Sequence, residues 1–151
     1  MYALLWSVRA CTPFVKHPQS PPSSGARRID APTMTSPTRP ILVVEDEEDI
    51  REAVSDLLQL EGYAVETASN GQEALQVLEG PADPCLILLD VMMPVMDGHA
   101  FMARLREDPA HRRIPVVITS ASPQVPAGAR AHLRKPYELH RLLDVIQEHR
   151  A

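Results

Sequence analysis

No stretch of this 151-residue sequence is apolar for long enough to cross a membrane, which takes about 20 residues. Cysteine is almost absent: Cys11 and Cys85 are the only two, too few for a disulfide framework. Cys85 opens an apolar run and reads as a reduced core residue, consistent with a cytoplasmic protein. Positive charge is short where a globular part is expected. Residues 41–151 carry ten basic and nineteen acidic side chains, a net charge of −9, which argues against direct binding to nucleic acid. No internal repeat is visible. The opening segment lacks a small-residue cleavage site and is interrupted by Arg9, which argues against export.

What is present divides at residue 40. Residues 1–40 hold seven prolines, are rich in Pro and Ser from 18 to 24, and carry a net charge of +4. Such a composition cannot bury a core and reads as a disordered leader. Met34 offers an alternative start, a short polar leader away from the first strand, which would place 1–33 outside the protein proper. Residues 41–150 form one unit, and no output domain is expected beyond its last helix.

Within that unit, apolar runs alternate with helical periodicity. Ile41–Val44 is a short buried strand. Ile50, Ala53, Val54, Leu57 and Leu58 mark a helix closed by Gly62. Strands are expected at 64–68, 85–89, 116–119 and near 132–135, with helices around 74–78, 100–106 and 139–146. Alternation of this kind gives a parallel sheet covered on both faces. Ligands of such sheets bind beyond the carboxyl ends of the strands. Glu45, Asp46, Asp90, Ser120 and Lys135 all fall at those ends. Three converging acids repel one another and favour a divalent cation. Magnesium suits a few carboxylates with waters and phosphate oxygens. Asp90 would then act as a carboxylate nucleophile on phosphorus, with Lys135 and Ser120 offering a charge and a hydroxyl to the phosphoryl oxygens.

The chain here resembles the receiver domain of bacterial two-component response regulators. The residues that carry the resemblance are Val43-Val44-Glu45-Asp46, Leu88-Leu89-Asp90-Val91-Met92-Met93-Pro94 with Asp97-Gly98, Ile114-Pro115-Val116-Val117-Ile118-Thr119-Ser120-Ala121, and Lys135-Pro136. It implies a flavodoxin-like, doubly wound α/β fold with five parallel strands in the order 2-1-3-4-5. It makes Asp90 the phosphoacceptor, carried as a 4-aspartylphosphate. Asp46 would ligate Mg2+ directly, Glu45 through water and Met92 through its backbone carbonyl; Mn2+ can substitute. Ser120 would be the switch hydroxyl and Lys135 the phosphoryl-binding lysine. His132 stands at the switch aromatic's position, either as a switch side chain or as a passive rim residue. The implied partners are a sensor histidine kinase or a histidine phosphotransfer protein and an unknown downstream protein target. No nucleic acid or membrane partner is implied, and the state would be a monomer or weak dimer. The expected role is that of a cytoplasmic single-domain response regulator rather than an enzyme. Met92, two residues after Asp90, is bulky and suggests slow self-dephosphorylation.

Two departures from the family pattern stand out. Glu45 replaces the commoner Asp. Only 14 residues separate Ser120 from Lys135, and Pro123, Pro126 and Gly128 are among them. A full crossover helix does not fit, so the fourth crossover is expected to be a loop or a single turn. In the family that region signals phosphorylation and often dimerises. Two other classes therefore remain open: a docking module that no longer cycles phosphate, and a Mg2+-dependent aspartyl-phosphate phosphohydrolase. The second commonly needs an acid where Met92 stands. The other motifs have plainer readings. Glu47, Glu48 and Asp49 are a helix-start charge run; Asp97-Gly98 is turn chemistry; the remaining histidines do not form a metal set.

Overall fold

The structure is a computed structural model that describes residues 38–151. The expected leader lies almost wholly outside the described residues. Five strands, β1 (Ile41–Val44), β2 (Val65–Ala68), β3 (Leu86–Asp90), β4 (Val116–Ser120) and β5 (Ala131–Arg134), form one parallel sheet in the order β2-β1-β3-β4-β5. Three helices, α1 (Glu48–Leu60), α2 (Gly71–Glu79) and α3 (Gly98–Glu107), fill the first three connections, and α4 (Leu139–His149) follows β5. The doubly wound α/β fold read from the sequence is the one observed. Residues 121–130, between β4 and β5, contain no helix, as the prolines and the short spacing required.

Period-two alternation sends each central strand into two cores. Leu42, Val44, Ile87, Leu89, Val116 and Ile118 pack toward α2 and α3, around the fully buried Phe101. Ile41, Val43, Leu86, Leu88, Val117 and Leu133 pack toward α1 and α4, meeting Leu58, Leu142, Val145 and Ile146. Both faces of β1 and β3 are therefore dry, and the polar ends of these strands are the places where charged side chains gather.

The helix ends follow the local sequence. Asn70 and Asp97 cap α2 and α3, accepting the amides of Glu73 and Ala100 at 2.9 and 2.8 Å. Asp97 thus has the local role expected of it, away from any metal set. Gly62, at φ 90°, follows α1 and donates its N–H to the Gln59 carbonyl at 3.0 Å. In the β3–α3 connection, Gly98 lies where an added Cβ would come within 2.8 Å of the Asp90 carbonyl oxygen, so only glycine lets α3 start this close to the strand.

Cys85 corrects the sequence reading. It is fully buried and disulfide-bonded rather than reduced. Two cysteines far apart in sequence carry no spacing signal, so pairing was not legible.

Candidate functional site

The carboxyl ends of β1 and β3 lie side by side because β1 pairs with β3 in register, Val44 against Leu89. One residue further along, Asp90 ends β3 and Glu45 follows β1. Asp46 follows in the β1–α1 connection. Ligand oxygens of Glu45, Asp46 and Asp90 all lie within 4.8 Å of one another, with Glu45 and Asp90 buried and Asp46 half-buried. The β1–α1 turn is held by Arg51, whose Nη1 donates to the carbonyls of Glu45 and Asp46 at 2.9 and 3.4 Å. The sequence reading did not single out Arg51. Its signal was a lone cation one turn into an otherwise acidic helix start.

Lys135, just past β5, reaches the same point. Its Nζ donates to Glu45 Oε2 at 2.7 Å and lies 3.8 Å from Asp90 Oδ1. Asp90 Oδ1 also accepts the Val91 N–H at 2.8 Å, and Glu45 Oε1 the Glu47 N–H at 3.4 Å. Burial raises the pKa of Asp90, against the opposing pull of Lys135 and the Val91 N–H. Burial likewise raises Glu45, opposed by the Lys135 hydrogen bond and reinforced by the Asp90 charge. Burial works to lower Lys135, but its hydrogen bond to Glu45 and the charge of Asp90 outweigh it and hold the ammonium above its ordinary value. Two buried carboxylates share one lysine, so the site is short of positive charge. A hard, oxygen-seeking divalent cation fits that deficit.

Ser120 ends β4 and is buried, but its Oγ accepts the Ser122 N–H at 3.1 Å and makes no hydrogen bond to the acids. Thr119, not Ser120, is the register partner of Asp90. His132 is exposed on β5, with Nε2 3.4 Å from the Ser120 carbonyl oxygen. Met92 follows the site with its side chain 73% exposed. Tyr137, unremarked in the sequence, is half-buried beside Ile50, Ala121 and Pro136, where burial raises its hydroxyl pKa. The structure thus gathers Glu45, Asp46, Asp90 and Lys135 at one point and leaves Ser120 and His132 at its rim.

A parallel sheet in this order, with three acids and a lysine at its carboxyl edge, is the arrangement that the resemblance in the sequence implies. The family model of the response regulator receiver domain matches residues 41–147. The chain therefore belongs to the response regulator receiver family. It is 34% identical to the chemotaxis response regulator CheY4 of Vibrio cholerae, with a TM-score of 0.65, covering 72% of this chain and 95% of that one. It is 33% identical to the response regulator Rre1 of Synechocystis over 71% of this chain and 49% of that protein. With FleR of Pseudomonas aeruginosa it shares 36% identity over 72% of this chain and 24% of that protein. The chain spans half or less of the length of these curated relatives.

Proposed function

We propose that this chain is a receiver that accepts a phosphoryl group on Asp90 and signals through altered protein–protein contacts. The observation that carries the reading is the convergence of Glu45, Asp46, Asp90 and Lys135 within the carboxyl edge of the sheet. Mg2+, or Mn2+ in its place, would be held by Asp46 and Asp90 directly, by Glu45 through water and by the Met92 carbonyl. When bound, the cation supplies charge neutralisation for the acids and an incoming phosphoryl group. The structure of the response regulator TrrA of Thermotoga maritima, in complex with Mg2+ and beryllofluoride, has 28% identity to this chain and a TM-score of 0.64.

In the proposed step a carboxylate oxygen of Asp90 attacks phosphorus. The phosphorus–nitrogen bond of a phosphohistidine breaks, its electron pair returns to the imidazole, and an acyl phosphate forms. Lys135 shifts from Glu45 toward the new phosphoryl oxygens. Ser120, freed from Ser122, turns its hydroxyl to the same group, and His132 follows through the Ser120 carbonyl. Hydrolysis resets the site, slowly if Met92 crowds the water. The donor is a sensor histidine kinase or a histidine phosphotransfer protein, and the output target is another protein. The chain acts as a phosphoacceptor with self-catalysed transfer rather than as an enzyme on a separate substrate. In this reading the receiver works as a monomer or weak dimer. A cytoplasmic location follows from the kinase as donor; the cysteines no longer support it.

The test is acetyl phosphate labelling with Mg2+, read by intact mass on wild type and Asp90→Ala, together with a shape measurement. A single phosphoryl adduct on wild type only is expected. No adduct from acetyl phosphate or from phosphohistidine donors would exclude the reading. A second reading, a docking module that does not cycle phosphate, is favoured by the helix-free 121–130 crossover and by the inward-turned Ser120. It predicts no change of shape on labelling.

A further inference from the structure

Glu45 is still tied to the sheet, its N–H donating to the Ala68 carbonyl at 3.1 Å. Asp46 is the first residue beyond that tie. Among the described residues its carboxylate accepts no hydrogen bond and joins no ion pair. The backbone alone therefore aims it toward Glu45 and Asp90. The usual means of fixing such a turn is missing, because Glu47, the N-cap of α1, makes no side-chain cap. The Glu47 N–H has only a long bond, 3.4 Å, to Glu45 Oε1.

Arg51 supplies the fixing instead. Its own main chain is set by the helix: the N–H donates to the Glu47 carbonyl at 2.9 Å, and the carbonyl accepts the hydroxyl of the buried Ser55 at 2.7 Å. From there the guanidinium turns back, and Nη1 donates to the carbonyls of Glu45 and Asp46 at 2.9 and 3.4 Å. Those carbonyls belong to the two peptide planes on either side of the Asp46 Cα. Only the φ and ψ of Asp46 lie between the planes, so one charged donor that spans them fixes the direction of the Asp46 side chain. The bonds go to main chain. Lys135, not Arg51, is the cation that acts on the carboxyls of Glu45 and Asp90, so Arg51 leaves the charge deficit of the acids to a divalent cation. We propose that Arg51 is a positioning residue for Mg2+: it presets Asp46 as a ligand, and the cation need not order the β1–α1 turn when it binds. This rests on the proposed cation site and deepens it.

The test is titration of the full chain with Mg2+ alone, read by calorimetry, on wild type, Arg51→Met, Arg51→Lys and Ser55→Ala. Methionine keeps much of the apolar stem and removes the donors. Lysine keeps a donor that reaches one carbonyl at a time. Ser55→Ala removes a hydrogen bond from the same helix without touching the turn. Arg51→Met is expected to weaken Mg2+ at least fivefold, Arg51→Lys by less, and Ser55→Ala by less than twofold. Acetyl phosphate labelling of Arg51→Met should be slow at low Mg2+ and return to within twofold of wild type at saturating Mg2+. Circular dichroism checks that the variants fold, and Arg51→Lys carries the test if Arg51→Met does not. Unchanged Mg2+ affinity in the Arg51 variants would overturn the proposal and leave the receiver reading standing. Equal weakening by Ser55→Ala would overturn it too, as general loosening of α1. So would labelling that stays depressed at saturating Mg2+, which would place Arg51 in the phosphoryl step. A wild type that binds no Mg2+ would overturn this proposal and the cation site together.

Discussion

Lys135 donates its hydrogen bond to Glu45 at 2.7 Å and stands 3.8 Å from Asp90. The ammonium is thus engaged by the longer acid and lies one small movement from the expected phosphoacceptor. The extra methylene of Glu45, relative to an Asp, gives it this reach. Lys135→Ala is expected to lower acetyl phosphate labelling at least tenfold. It should also destabilise the fold by about 2 kcal/mol, because it leaves two buried carboxylates without their cation while the lysine itself is partly exposed. Arginine should restore stability better than labelling, since a planar fork cannot replace a point charge here. Intact mass and thermal unfolding check both.

The same burial sets a pH dependence. Asp90 and Glu45 have folded pKa values raised above ordinary values of 3.8 and 4.5. A carboxyl with a raised folded pKa contributes stability that is complete below its unfolded value and is lost as pH rises through its folded value. Metal-free protein should therefore lose stability as pH climbs from the ordinary carboxyl range toward neutrality. Asp90→Asn, which still accepts the Val91 N–H, should raise the unfolding midpoint at pH 7 and flatten this slope. Denaturant titrations at pH 5 and pH 7, with and without the substitution, measure it. A variant less stable than wild type at pH 7 would contradict the prediction.

Magnesium should act in the opposite sense. A cation bound by the folded state alone stabilises it by RT ln(1 + [L]/Kd), about 2.7 kcal/mol at a hundredfold excess over Kd. Thermal unfolding in saturating Mg2+ is expected to rise by several degrees and to return on chelation. Asp46→Asn should remove most of that rise without lowering the metal-free midpoint, because Asp46 is half-buried and has no ion pair among the described residues.

Val95 lies in the β3–α3 connection at φ 66° and is 84% exposed. A β-branched residue in the left-handed region is strained, at a cost of about 1–2 kcal/mol. Val95→Asn sacrifices almost no packing and should stabilise the protein by about 1 kcal/mol while leaving Asp90 labelling intact. Chemical unfolding reads the gain; a neutral or negative change would place compensating contacts in this loop.

The sequence by itself determined the sheet. The apolar runs at Ile41–Val44, 85–89 and 116–119 could be stable only as strands buried on both faces, and helical periodicity filled the gaps between them. It also placed the acids and the lysine at strand ends, since a charge that closes an apolar run must lie where the run leaves the core. The missing fourth helix was legible because 14 residues containing Pro123 and Pro126 cannot wind across a sheet. Ends shifted by a residue: β3 and β4 run on to Asp90 and Ser120, because ladder pairing with neighbours continues past the last apolar side chain. Only the tertiary structure decided which acid the lysine holds, that Ser120 turns toward Ser122, and that Arg51 braces the β1–α1 turn. These are choices among partners within a few ångströms, set by side-chain reach and burial rather than by residue type.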